Sequence, residues 1–310
     1  MSSQAEIQKQ ITDRIIEGLK NGVVPWRKPW RPDKNSGSPA NAISNRPYSG
    51  INPILLDLVA MNRGYTSRYW ATYQQWATIG AQVRKRPADC KPGQWGTQIV
   101  FYKQCRKTKI EKGEEKTETF PVLRSFTVFN IDQVDGESVD HLRASTNQEP
   151  VSSEPDYNAA REAIAATGAE FRYGGDRAFY KRPIGEFPFH QDGDFICLPD
   201  PSRFFEVYEF ISTSFHELVH WSEVRLGWTG SYAMGELIAE LGATFAAAQL
   251  GIPGSDNLDN HAAYLASWLK ELENDPKAIF KAASQASKAT EFILGFSRNA
   301  KVQAEELQAV

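Results

Sequence analysis

The run His216-Glu217-Leu218-Val219-His220 places two histidines four residues apart, with a glutamate beside the first. Its apolar residues and the periodicity of residues 202–226 predict one long helix. On a helix, residues i and i+4 lie on one face about one turn apart, so both imidazoles can hold a single divalent ion. Glu217 is close enough to take a proton from a water molecule that such an ion acidifies. The alternative is a chance pair of histidines that binds no metal.

A third ligand is offered by the next predicted helix, residues 234–250. Glu236 and Glu240 lie one turn apart on the same face of this largely apolar helix, where a carboxylate needs a partner. Either can complete the site, and solvated helix charges are the alternative. Tyr232, one turn before Glu236, is predicted to stabilise an oxyanion or to serve only in packing. Residues 194–199 predict an edge strand just before the motif helix.

Charge divides the chain into two parts. Residues 1–109 hold 18 Lys and Arg against 6 Asp and Glu, and the remainder holds 17 against 32. Five of the eight tryptophans lie in the first 95 residues, interleaved with cations. Cations that neutralise phosphates and aromatic faces that stack on bases are typical of proteins that bind single-stranded nucleic acid. The candidate contacts from this pattern are Trp26, Arg27, Lys28, Trp30, Arg46, Trp70, Arg84 and Lys85. Tryptophans in the core beside a solvated cationic face are the alternative.

The element pattern predicts an α+β chain with two domains. Helices are predicted at 5–22, 53–62, 72–79, 157–167, 260–273 and from 275 past 286, and strands at 98–103, 124–130, 170–173 and 178–181. The charged stretch 107–116 is predicted to be a hairpin loop. A polar segment at 137–153 is predicted to link a mixed α/β domain (1–136) to a mainly helical domain with a small sheet (154–310). The sequence has no secretory signal and no apolar run long enough to span a membrane, which predicts a cytoplasmic protein.

Seven stretches, in this order, resemble the ArdC-type antirestriction proteins of conjugative plasmids and other mobile elements. They are Pro25–Trp30, Arg46–Asn52, Trp70–Gln75, Phe126–Val134, His216–Trp221, Glu236–Ala243 and Tyr264–Leu269. The resemblance implies an N-terminal domain that binds single-stranded DNA and a C-terminal zincin-like metallopeptidase domain. It adds Tyr48, Asn52 and Gln75 to the expected DNA contacts. The family protects incoming DNA from host restriction, and its N-terminal module is shared with TraC-type plasmid primases.

The second half also resembles the gluzincin arrangement of thermolysin-like metallopeptidases. That resemblance implies Glu236 as the third metal ligand, Glu240 as the residue that orients an imidazole, and Glu217 as general base. The expected ion is Zn²⁺, with Mn²⁺ or another divalent metal as the alternative. The expected partners are single-stranded DNA and a host protein substrate such as a restriction component, with no membrane. Two rival functions stay open: a DNA-binding protein whose metal domain is only structural, and a metalloprotease with no nucleic-acid role.

Overall fold

The computed structural model describes residues 4–21, 24, 26, 35, 37–111, 114–143, 157–183, 193–252 and 262–308. Its helices are α1 (Gln4–Lys20), α2 (Asn52–Arg63), α3 (Tyr73–Thr78), α4 (Asn158–Ala166), α5 (Val207–Arg225), α6 (Tyr232–Gln249), α7 (Ala262–Asn274) and α8 (Ala278–Gln308). Its strands are β1 (Ala40–Asn41), β2 (Tyr69–Thr72), β3 (Gln82–Val83), β4 (Thr97–Glu111), β5 (Glu114–Asn130), β6 (Val134–Asp135), β7 (Glu170–Tyr173), β8 (Phe179–Lys181) and β9 (Phe195–Leu198). The predicted α+β class, with a mixed first half and a helical second half, is confirmed. None of the described helices combines the length and apolar character needed to cross a membrane.

The first half is built around a four-stranded sheet in the order β1-β2-β5-β4. Strand β2 is short and ends at Thr72, which lies opposite Val128 of β5. The chain then turns directly into α3, where the Thr72 side chain accepts a hydrogen bond from the Gln75 backbone N–H and the Gln75 side-chain oxygen accepts one from the Thr72 backbone N–H. This reciprocal cap ends the strand, so residues 123–127 of β5 extend beyond β2.

The long hairpin β4–β5 corrects one prediction. Residues 107–111 and 114–116 belong to strands and not to a loop, because the antiparallel ladder continues as far as the pair Glu111 and Glu114. Charged residues do not end a strand, since the ladder is made by backbone groups that every residue other than proline provides.

The second half places a three-stranded sheet, in the order β7-β9-β8, next to α5. Residues 194–199 were expected to form an edge strand, and this is wrong, because β9 pairs with β7 on one side and with β8 on the other. Its alternate residues Ile196 and Leu198 are fully buried, as expected of a central strand. The edge position on the α5 side belongs to β8.

Helices α5, α6 and α8 pack into the main hydrophobic core. Gly242 of α6 permits the close approach of α5, because a Cβ atom there would lie 2.6 Å from Cγ2 of Val219. The Gly242 carbonyl also accepts a hydrogen bond from Oγ1 of Thr290 in α8, at 3.1 Å. Val219 is the residue before His220, so this contact sets the register of α5 against α6.

The two halves share contacts. Helix α1 packs against α7, with Oγ1 of Thr12 donating to the carbonyl of Pro276 at 2.7 Å. Val139, inside the predicted linker, is buried in a cluster of the first half. Residues 144–153 of that linker lie outside the described residues, so the boundary at 137–153 stays a prediction.

Candidate functional site

Helices α5 and α6 bring three side chains to one point. Nε2 of His216 and Nε2 of His220 lie 3.3 Å apart. The Glu236 carboxylate lies 3.5 Å from Nε2 of His216 and 3.6 Å from Nε2 of His220. Among the described residues this is the group of His, Cys, Asp and Glu side chains whose ligand atoms converge closely enough to hold a metal ion.

These separations fit a divalent metal. Ligand atoms at about 2.0–2.1 Å from a tetrahedral ion lie roughly 3.3 Å from one another. Two histidines and one glutamate are also the donor set of one class of catalytic zinc site, which leaves a fourth position open. Nδ1 of His220 faces Oε1 of Glu223 at 3.0 Å, so this nitrogen carries the proton and Nε2 presents its lone pair to the centre. A lone pair facing a second imidazole and a carboxylate is the arrangement that a cation stabilises.

Glu223 is the residue that the sequence reasoning missed. It is buried, contacts His220 and forms an ion pair with Arg182, which follows β8. A carboxylate that accepts the second ring N–H of a ligand histidine fixes both its tautomer and its orientation. The only sequence signal was the spacing, since Glu223 follows His220 by three residues on one helix.

Glu240, for which that orienting role was predicted, is buried one turn beyond Glu236. Burial lowers the pKa of His216, but the hydrogen bond that it donates to Glu236 and the charges of Glu217, Glu240 and Glu236 outweigh this effect and raise the pKa above its usual value. Glu240 therefore acts on the His216 side of the site electrostatically. Its role in orienting an imidazole stays a prediction.

Glu217 lies in the wall of the cleft beside the two histidines. Burial raises the pKa of its carboxyl, while the charges of His216 and His220 and a hydrogen bond from the backbone of Tyr180 oppose the rise. The bond to Tyr180 connects this carboxylate to the edge strand β8, which fixes its position relative to that strand.

The cleft over these residues has a volume of about 310 Å³ and is bounded by β8, α5 and the segment 228–236. Tyr232 stands at its rim, is 73% exposed, and hydrogen-bonds the Glu236 carboxylate. Its position leaves the hydroxyl near the candidate metal ligands, and its role as oxyanion donor stays a prediction.

Three of the expected DNA contacts lie in the core. Trp26 and Trp70 are 2% and 1% exposed, and Trp26 packs edge to face on Trp268. Asn52 is 2% exposed, and its amide both donates to and accepts from the backbone of Val100. Burial leaves these three side chains little surface for direct contact with DNA, and their assignment as DNA contacts stays a prediction.

The other expected DNA contacts divide between two surfaces. Tyr48, which is largely buried, and Gln75 line a groove beside β5. Arg84 and Lys85 line a separate pocket with Trp95, and Arg46 is exposed near the first groove. Arg27, Lys28 and Trp30 lie outside the described residues.

One helix carries the HExxH motif, the next carries Glu236 as the third candidate ligand, and both lie beside a small sheet. This arrangement defines a zincin-like metallopeptidase domain, which is joined to a mixed α/β domain. The model for the zincin-like metallopeptidase family matches residues 158–285, and the model for the N-terminal domain of the anti-restriction factor ArdC matches residues 5–129. The chain belongs to the ArdC-type antirestriction family.

Solved structures and curated relatives agree with this assignment. The metal-free structure of antirestriction protein ArdC from plasmid R388 matches with a TM-score of 0.72 and 34% identity, covering 95% of this chain and 98% of that one. The Mn(II)-bound structure of the same protein matches with a TM-score of 0.67 and 33% identity, covering 94% of this chain and 98% of that one. The uncharacterized protein y4eC of Sinorhizobium fredii is 30% identical, with 93% of this chain and 91% of that protein covered.

Two proteins of Escherichia coli named DNA primase TraC are 34% and 33% identical to the chain. The alignments cover 99% and 96% of this chain but only 29% and 20% of the primases. The chain thus spans less than a third of the length of these relatives, and it corresponds to one part of each.

Proposed function

We propose that this chain is a metal-dependent peptidase that also binds single-stranded DNA and counteracts host restriction of incoming DNA. The observation that carries the peptidase is the convergence of His216, His220 and Glu236 within 3.3–3.6 Å, with Glu217 beside them. The donor set favours Zn²⁺. Mn²⁺ is the alternative, supported by the similar R388 protein whose structure contains Mn(II).

The residues of the cleft suit hydrolysis of a peptide bond. A divalent ion held by His216, His220 and Glu236 would supply Lewis acidity, which acidifies water and polarises a carbonyl group. Glu217 accepts the proton of the attacking water and passes it to the leaving nitrogen. The Tyr232 hydroxyl donates a hydrogen bond to the oxygen that becomes negative.

Strand β8 provides a place for the substrate backbone. It pairs with β9 along one edge, and among the described residues no strand pairs with its other edge. An extended peptide can add to such an edge through main-chain hydrogen bonds. Because the backbone of Tyr180 in β8 also contacts the Glu217 carboxylate, a peptide aligned on this strand lies beside the general base.

DNA binding is supported by the basic first half and by the relatives. Relatives that are named for antirestriction and for DNA priming align with the first half of the chain. A protein that binds the entering single strand would be concentrated where the restriction machinery of the host acts, and a component of that machinery is the substrate class we propose for the cleft.

Glu217→Gln tests the peptidase, because it removes the proton acceptor and keeps the three ligands. We expect metal content equal to wild type, loss of peptide hydrolysis and loss of protection of an incoming plasmid in a restricting host. His216→Ala is the companion variant and is expected to lose the metal as well. If Glu217→Gln protects the plasmid as well as wild type, catalysis is not the mechanism of protection and this part of the proposal is wrong.

A salt titration of single-stranded DNA binding distinguishes the proposal from the second rival, a metalloprotease with no nucleic-acid role. Phosphate contacts make affinity fall steeply as salt rises. A protein that hydrolyses peptides but binds no single-stranded DNA at low salt would be a metalloprotease without a nucleic-acid role.

A further inference from the structure

Three exposed aromatic side chains meet in one groove of the first half. Tyr73, Phe101 and Phe126 are 55%, 43% and 44% exposed, and they line a groove of about 830 Å³. Phe101 and Phe126 contact each other edge to face, with ring centroids 5.6 Å apart. Exposed aromatic clusters of this kind on a folded domain commonly mark a binding surface.

The sheet explains why these rings are exposed. Phe126 lies opposite Ile99 in the β4–β5 ladder, and Phe101 lies two residues further along β4, so both rings stand on the face that carries Ile99. Ile99 itself is buried in the cluster that contains Trp70. Tyr73 is the first residue of α3, where β2 has already ended, and it forms the opposite wall of the groove.

Polar and cationic groups surround the rings. The amides of Asn41, Gln74 and Gln75 line the groove, and Gln74 is exposed. Arg124 lies directly opposite Phe101 in the ladder and is exposed, as is Arg46 near Asn41.

Beyond Phe101 the groove meets a second cleft, which separates the sheet from α8. Phe101 lines both, and the exposed Lys288 lines the second. The acidic Glu291 in this cleft is paired with Arg298. A negatively charged chain that follows the groove therefore meets cations at both ends.

We infer that this groove holds the bases of single-stranded DNA, which stack on Tyr73, Phe101 and Phe126 while phosphates contact Arg46 and Arg124. The inference rests on the proposed DNA-binding function and assigns it a place. Stacking on aromatic faces tolerates every base, so the site is expected to bind without strong sequence preference. The exposed amide of Gln74 is placed to make hydrogen bonds to base edges, whereas the amides of Asn41 and Gln75 are hydrogen-bonded to each other and to neighbouring protein groups.

The pocket of Arg84 and Lys85 is a poorer candidate. Arg84 is already hydrogen-bonded to the carbonyl of Asp132 and lies 3.8 Å from the Asp135 carboxylate. The indole N–H of Trp95 is donated to the carbonyl of Arg84. These groups are engaged with the protein, whereas the rings of the groove stand open.

The test measures binding of a fluorescent oligothymidine to the full chain and to Phe101→Ala, Phe126→Ala and Tyr73→Ala. Loss of a stacked base lowers affinity by about tenfold or more, and the tyrosine and tryptophan replacements of Phe101 should retain binding. Phe205→Ala is the matched control, because Phe205 is an aromatic residue of the second half that is 96% exposed. Circular dichroism checks that each variant is folded.

Photo-crosslinking with a bromodeoxyuridine oligonucleotide gives an independent readout on wild type. Crosslinks at the three rings support the inference, and crosslinks confined to the Arg84 and Lys85 pocket overturn it. If wild type binds the oligonucleotide and the three alanine variants bind equally well, the assignment of the DNA site to this groove is wrong, whereas the proposed DNA binding is supported. If wild type binds no oligonucleotide but an extended peptide protects the groove residues, both the groove assignment and the proposed DNA binding fail.

Discussion

Replacing Glu223 by alanine should weaken metal binding although this residue is not a ligand. Its carboxylate lies 3.0 Å from Nδ1 of His220, and the two side chains are 4% and 17% exposed. The substitution leaves the Nδ1–H of His220 without this acceptor and frees the ring to rotate or to change tautomer. The Nε2 lone pair is then no longer directed at the metal.

The expected loss of metal affinity follows from the hydrogen bond between Glu223 and His220. A hydrogen bond to a charged group contributes about 1.5–3 kcal/mol. Removing the outer partner of a ligand histidine typically costs about 10- to 100-fold in metal affinity, which is ~1.4–2.7 kcal/mol. The two ranges agree, so Glu223→Ala should raise the Kd for the metal by about 10- to 100-fold.

A chelator-competition titration with Zn²⁺ measures this directly. Glu223→Gln keeps an acceptor for His220 and should lose less affinity than the alanine variant. Arg182→Ala removes the ion pair to Glu223 without touching His220, and it should also have a smaller effect. If Glu223→Ala binds metal as tightly as wild type and Glu240→Gln does not, then Glu240 orients the site and the reasoning is refuted.

Three further results are expected. Gly242→Ala should lower the free energy of unfolding by about 1–3 kcal/mol in thermal melts, because the added Cβ would clash with Val219 of α5. Gly295→Ala in α8 is the control and should be neutral or stabilising, because a Cβ there meets nothing within 4 Å. Asn52→Ala should destabilise the fold by about 2 kcal/mol or more, because two backbone groups of Val100 lose their hydrogen-bond partner. The folded variant should bind DNA with unchanged affinity, and a selective loss of DNA affinity would show that the buried Asn52 contacts DNA. Metal affinity should fall as pH falls through the raised pKa of His216, because the proton competes for the nitrogen that binds the metal. A metal affinity that stays constant between neutral and mildly acidic pH would argue against His216 as a ligand.

Local patterns predicted much of this structure. The spacing of His216 and His220 and the apolar periodicity around them depend only on helix geometry, so α5 could be placed from the sequence, and the resemblance supplied Glu236. Neighbouring residues determine such features, which is why the helices of the second half lie close to their expected bounds.

Features that depend on distant parts of the chain could not be predicted in this way. The contact between Glu223 and His220 is local to α5, but the ion pair that holds the Glu223 carboxylate comes from Arg182, 41 positions earlier in the chain. Trp70 is buried in a cluster with Leu56 of α2 and Ile99 of β4, and Asn52, at the start of α2, is buried against Val100 of β4. Alternation along β4 places Phe101 on the same side of the sheet as Ile99, but it does not show that Ile99 is buried there while Phe101 is exposed.

The proposed function requires α5 and α6 to hold one metal ion through His216, His220 and Glu236. The most direct measurement is a crystal structure of the metal-loaded protein with anomalous scattering data at the absorption edge of the metal. We expect one anomalous peak at about 2.0–2.2 Å from Nε2 of both histidines and from a carboxylate oxygen of Glu236. A peak elsewhere in the chain, or one that Glu236 does not contact, would contradict it.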